Sequence, residues 1–187
     1  MLIPRRPTRA EIAAAAGKTV ADLIAPNLKV LFCGINPGLY TAAIGHHFGR
    51  PGNRFWPALY AGGFSDRLLS PYEEHELLPR GYGITNIVAR ASARADDLTE
   101  DELRAGARVL MRKVKRHRPR LIAFLGITAY RIAFERPHAA LGLQPETLAE
   151  TKIWLLPSPS GLNAHHSPAI LARLFAELRR AVEELSA

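Results

Sequence analysis

Two short turns carry the side chains best suited to chemistry: Gly34-Ile35-Asn36-Pro37-Gly38 and Leu156-Pro157-Ser158-Pro159-Ser160-Gly161-Leu162-Asn163. An amide such as Asn36 has no proton that titrates near neutrality. It can position and polarise a water but cannot be a strong general base. Two histidine pairs, His46-His47 and His165-His166, suggest a metal at first sight. Neighbouring side chains in an extended segment point apart, however, and no carboxylate adjoins either pair in sequence, so no metal is expected. If Asn36 works with water, a carboxylate nearby would matter, and Asp96 and Asp97 are the candidate accessory acids.

Each turn directly follows an apolar run, Val30-Leu31-Phe32-Cys33 in one case and Ile153-Trp154-Leu155 in the other. In a parallel sheet both turns would leave the carboxyl edge, where open α/β folds bind ligands, and they would meet there. Further strands are predicted at 83–88 and 121–126, with a loop and a short extra strand at most over 136–150. Thr8 and Glu11 read as a capping box opening a short helix, and 19–25 as a second short helix stopped by Pro26. Helices are also predicted at 53–60, 71–78, from Thr99, at 128–134, and after Ser167-Pro168, with a long Gly- and His-containing loop after the first strand. From Thr99, Leu103, Ala107, Leu110, Met111 and Val114 share one face. In the last helix Leu171, Leu174, Phe175, Leu178, Val182 and Leu185 do the same. Strands alternating with helices predict a single three-layer α/β/α domain, its central, mainly parallel sheet having about four strands. Residues 1–18 read as an arm and 19–187 as the domain.

At 187 residues the chain can bury a core without staples. Its single cysteine, Cys33, cannot pair within the chain or anchor a cluster alone, which suits a reducing, cytoplasmic setting and a buried strand residue. No stretch has the apolar length of a signal peptide or membrane span, so no membrane association is expected. A net charge of +8 and a pI near 10.1 favour polyanionic partners. Arg112, Lys113, Lys115 and Arg116 crowd one helix end, where cations suit the helix dipole, so position alone explains them.

Gly34-Ile35-Asn36-Pro37-Gly38, Gly45-His46-His47-Phe48, Pro51-Gly52-Asn53-Arg54-Phe55-Trp56, Gly83-Ile84-Thr85-Asn86 and Pro157-Ser158-Pro159-Ser160-Gly161-Leu162 occur in that order. Together they resemble the mismatch-specific uracil/thymine-DNA glycosylase family over roughly residues 20 to 185. The resemblance implies a monomeric, cofactor-free enzyme that flips uracil out of duplex DNA and hydrolyses its glycosidic bond. Asn36 would hold the attacking water, Phe48 would stack on the base, and backbone N–H groups near Ile35 and Phe48 would stabilise the leaving group. Thr41 would face the pyrimidine 5-position and crowd a thymine methyl, and His47, Asn86 and Arg90 would line or support the base site. Ser158, Ser160 and His46 would contact phosphate. Gly161, Leu162 and Asn163 would form a wedge filling the space left by the flipped nucleotide. Some family members carry serine and arginine after that leucine; Asn163 and Ala164 stand here, which predicts a weaker plug. No lysine accompanies these motifs to form a Schiff base, so a monofunctional reaction is expected. The rival readings are a non-catalytic DNA-binding protein of the same fold and a His-dependent metallohydrolase.

Overall fold

Along three neighbouring strands the apolar side chains alternate between two cores. In β1 (Val30–Gly34), Val30 and Phe32 enter one core while Leu31 and Cys33 enter the other. β3 (Leu121–Leu125) repeats this, with Leu121, Ala123 and Leu125 opposite Ile122 and Phe124. Strands buried on both faces read as continuous apolar runs, which is why these segments are recognisable in sequence. In the computed structural model, described over residues 5–161 and 165–185, the sheet order is β2-β1-β3-β5-β4. β2 is Tyr82–Asn86, β4 Gly142–Leu148 and β5 Thr151–Leu156.

Four strands run parallel, and β4 pairs antiparallel with β5 at the edge. The sheet thus has five strands rather than about four, because 142–148 forms a full edge strand. Its alternation of buried Gln144 and Leu148 with exposed neighbours is too polar to register as a core strand.

One face carries α3 (Phe55–Ala61), a 3₁₀ helix (Pro71–Arg80) and α6 (Pro168–Glu184), packed through Phe55, Leu77 and Phe175. A Cβ on Gly62 would lie 2.6 Å from Phe175 Cβ, so glycine lets α3 close onto α6. The other face carries α4 (Glu100–His117) and α5 (Ile127–Ala133) through Leu103, Leu110, Val114 and Tyr130. Both cores and the three layers match the architecture expected from the sequence.

At the start, Thr8 and Glu11 close the capping box of α1 (Arg9–Ala13). Ala15 and Val20 are buried with Ala42 of α2 (Leu39–Ile44) and with Ala91. The helix expected over 19–25 does not form. Leu23 instead exchanges two backbone hydrogen bonds with Ile84, of 2.9 and 2.7 Å, and covers the open edge of β2. Seven residues nucleate a helix poorly, and an unpaired strand edge offers a better use for their backbone groups. Gly83 makes the approach possible: a Cβ there would lie 2.4 Å from the Leu23 carbonyl oxygen. Cys33 is fully buried, and burial pushes its thiol pKa well up, so it is an inert core residue.

Candidate active site

Strand order reverses beside β1: its loop leads to β2 on one side, and the crossover through α4 returns to β3 on the other. Ligands of open α/β sheets bind in the crevice this leaves at the carboxyl ends. Here that crevice is a cavity of about 390 Å³, lined by the 34–38 turn, Phe48, Asn86, Ser92 and the 158–160 turn. Its size falls within the roughly 300–1,000 Å³ of small-ligand sites. The two turns expected to meet do meet, as walls of this one cavity, and the Arg54 N–H fastens the second turn to the 51–54 segment, donating to the Pro159 carbonyl at 2.9 Å.

Asn36 is half-buried on the cavity wall. Its amide nitrogen donates to the Arg90 carbonyl at 3.0 Å and to Ser92 Oγ at 2.8 Å. Ser92 Oγ in turn donates to the Arg94 carbonyl at 2.6 Å, which leaves its lone pairs to accept from Asn36. Both amide hydrogens are therefore used, and the network assigns which end of the side chain is nitrogen. Asn36 Oδ1 keeps its acceptor capacity for a molecule in the cavity.

Phe48 presents an aromatic wall, stacked on Phe55 at a centroid distance of 4.1 Å and an interplanar angle of 24°. Its φ of +53° is unusual for a bulky residue and is held by bonds on either side. His47 N–H donates to Glu74 Oε2 at 2.8 Å, and Trp56 Nε1 donates to the His47 carbonyl. Gly49 N–H donates to Thr41 Oγ1 at 3.1 Å. Opposite, Asn86 is only 8% exposed, lines the cavity, and its side chain has no partner among the described residues. That amide opens onto the cavity, where it offers a donor and an acceptor to a bound molecule. Gly34 makes room for both walls, since a Cβ there would lie 2.5 Å from Asn86 Oδ1 and 3.4 Å from Phe48 Cζ.

Of the other expected site residues, Ile35, Thr41, His47, Ser158, Ser160 and Asp96 line the cavity. His47 Nε2 donates to the Ala21 carbonyl at 2.9 Å, and burial lowers its pKa, so it is a neutral imidazole that braces the wall. His46 does not line the cavity. Its Nδ1 lies 3.0 Å from Glu74 Oε1, and its ring sits edge-on to Tyr72. The carboxylate that sequence proximity does not supply thus comes from the 3₁₀ helix. With these bonds made, His46 and His47 serve the loop. Among the described residues no group of three or more His, Cys, Asp or Glu side chains could hold a metal ion.

Asp97 accepts the Arg94 N–H at 2.8 Å as a local cap, while exposed Asp96 sits on the rim. The Arg90 guanidinium pairs with Glu102 at 2.5 and 2.9 Å, so Arg90 reaches the site only through its carbonyl. Gly161 lies so close to the 51–53 loop that a Cβ would be 2.6 Å from the Gly52 carbonyl oxygen. Leu162 and Asn163, the rest of the expected wedge, lie outside the described residues. Arg54 ties down both flanks of that segment, donating to the Ser160 carbonyl at 2.9 Å and the His166 carbonyl at 2.5 Å. Sequence reasoning missed Ser92, Glu74 and the role of Arg54. Nothing local marks Ser92 or Glu74, whereas Arg54 lies within a quoted motif.

A sequence-family model described as the uracil DNA glycosylase superfamily matches residues 21–185. The fold is similar to a solution NMR structure from Methanosarcina acetivorans, provisionally named a uracil DNA glycosylase. The TM-score is 0.56 at 19% identity, covering 87% of this chain and 98% of that one.

Proposed function

Because the chain belongs to the uracil DNA glycosylase superfamily, we propose that it excises uracil from duplex DNA, preferring U·G mismatches, and leaves an abasic site. The observation that carries this reading is the orientation of Asn36, whose two donors are spent on Ser92 and Arg90 and whose Oδ1 remains for a water. The uracil enters the cavity against Phe48, which suits any pyrimidine face and contributes on the order of 1–3 kcal/mol. Asn86 offers a donor and an acceptor to the base edge.

As the C1′–N1 bond breaks, positive charge grows on the sugar and negative charge on the uracil. Amide donors around the base oxygens stabilise the departing anion. The water held at Asn36 Oδ1 forms the new C1′–O bond, and its proton passes to solvent or to the released base. The reaction is monofunctional, with no covalent sugar intermediate. A U·G pair opens more easily than U·A, so flipping cost sorts substrates before chemistry begins. Leu162 fills the vacated stack, and Thr41 disfavours the thymine methyl. The protein acts as a monomer on DNA in the cytoplasm.

The test is alkaline strand cleavage of labelled duplexes carrying U·G, U·A or T·G, comparing the native protein with Asn36→Ala under single turnover. The expected order is U·G, then U·A, then T·G, with a loss on the order of 10²-fold in the variant, as misplaced reactants commonly cause. Binding without cleavage on every duplex would favour a non-catalytic DNA-binding protein. Cleavage that survives Asn36→Ala would move the chemistry to another group, with Asp96 first in line.

A further inference from the structure

The amino edge of the sheet, at the opposite end of the strands from the cavity, gathers cations that the sequence scatters. Lys29 precedes β1, Arg120 precedes β3 and Lys152 is the second residue of β5; these three strands are neighbours in the sheet. The register sets Lys29 level with Arg120, about 5 Å apart on the face that α4 covers, while Lys152, level with Leu121, leaves the other face of the same edge. Lys115, Arg116 and Arg118 join them from the end of α4. All six side chains are exposed, and none makes a side-chain hydrogen bond or ion pair among the described residues. Elsewhere Arg67, Arg80, Arg90, Arg104 and Lys113 are each paired with acids.

The platform beneath these cations is knitted by backbone. Asn27 N–H donates to the His117 carbonyl at 2.7 Å, Arg120 N–H to Leu28 at 2.8 Å, and Lys152 N–H to Arg120 at 3.1 Å. Thr151 Oγ1 donates to the Pro119 carbonyl at 2.7 Å. A concavity of about 480 Å³ opens there, lined by Lys115, Arg118 and Arg120, with Glu150 as its acid. No large hydrophobic side chain is exposed within 26–29, 112–120 or 149–152. A protein partner would want an apolar centre, whereas phosphate oxygens want cations on a fixed frame.

We propose that this amino edge is a second duplex-DNA surface that contacts phosphates only and holds a DNA segment other than the one presented to the cavity. A five-residue strand, about 17 Å long, separates the two edges, which face opposite ways. One straight duplex cannot lie along both. The helix dipole explains why cations are tolerated at the end of α4, but not why Lys29 and Arg120 stand beside them, with Lys152 at the same edge.

The test uses the full chain and undamaged DNA: an immobilised duplex, loaded with protein, is asked to retain a second, labelled duplex. The native protein should retain it at low salt. Lys115→Glu/Arg116→Glu/Arg120→Glu should lose at least about tenfold, and its log K against log salt should flatten by about 0.9 for each phosphate contact removed. Lys29→Gln/Lys152→Gln leaves α4 untouched and should show a smaller loss of the same kind, which guards against misfolding of the triple variant. Retention and salt slope equal to native in both variants would overturn the proposal. So would a loss of uracil excision on a short duplex in the triple variant, since these cations would then serve the cavity-bound strand. Absence of excision in the native protein would count against the glycosylase reading alone and leave the retention result standing.

Discussion

At Asn36 the chemistry depends on which end of an amide faces the cavity, and its neighbours decide that. Ser92→Ala removes one of the two acceptors that hold the nitrogen. A single hydrogen bond is worth about 0.5–1.5 kcal/mol, so the single-turnover rate should fall about two- to twelvefold with KM little changed. Ser92→Thr should restore the rate, and a change in KM alone would assign Ser92 to the fold rather than to Asn36. Phe48→Ala should instead weaken binding of a non-cleavable uracil duplex by about 1–3 kcal/mol, read as Kd. Asn36, Phe48 and the second turn were legible because short motifs name them. Ser92 was not, because only the path of the chain beyond β2 brings its hydroxyl to Asn36.

Among the elements, the 45–49 loop depends on the 3₁₀ helix more than on its own residues. Glu74 is buried and accepts the His47 N–H while its other oxygen meets His46. Glu74→Ala would strand a buried backbone donor, at a cost of about 1–3 kcal/mol measured by urea denaturation. The same variant should loosen Phe48 and raise KM for uracil duplexes. The sequence marked Pro71–Leu78 as helical but not the 3₁₀ geometry of Pro71–Arg80, and nothing in its spacing pointed Glu74 at His46. Segment 19–25 shows the same limit from the other side: its helical reading lost to the open edge of β2, which exists only once the sheet is assembled.

For the whole molecule, acid sensitivity follows from one buried imidazole and three capped, ion-paired carboxylates. Burial holds the His47 pKa below its usual value, so the unfolded chain binds protons that the folded one refuses. Stability is full above about pH 6.5 and declines as pH falls below it. Glu11, Glu73 and Glu102, each brought down to about 2 by arginine partners and helix-start N–H groups, add a second loss. That loss begins below the ordinary carboxylate range near 4.3 and completes towards pH 2. Thermal midpoints from pH 8 to 5 should fall in the native protein and stay flatter in His47→Gln, whose amide can still donate to Ala21; equal slopes would discount the imidazole. The sequence by itself determined the parallel α/β sandwich, the two turns at its carboxyl edge and the motif residues they carry. Those depend on local patterns: doubly buried strands, caps, and turns with fixed spacing. Tertiary structure alone decided the orientation of the Asn36 amide, the anchoring of His46 and His47, the fifth strand and the gathering of cations on the far edge. Each joins residues distant in the chain, and no local propensity records which groups a folded sheet will bring within hydrogen-bonding reach.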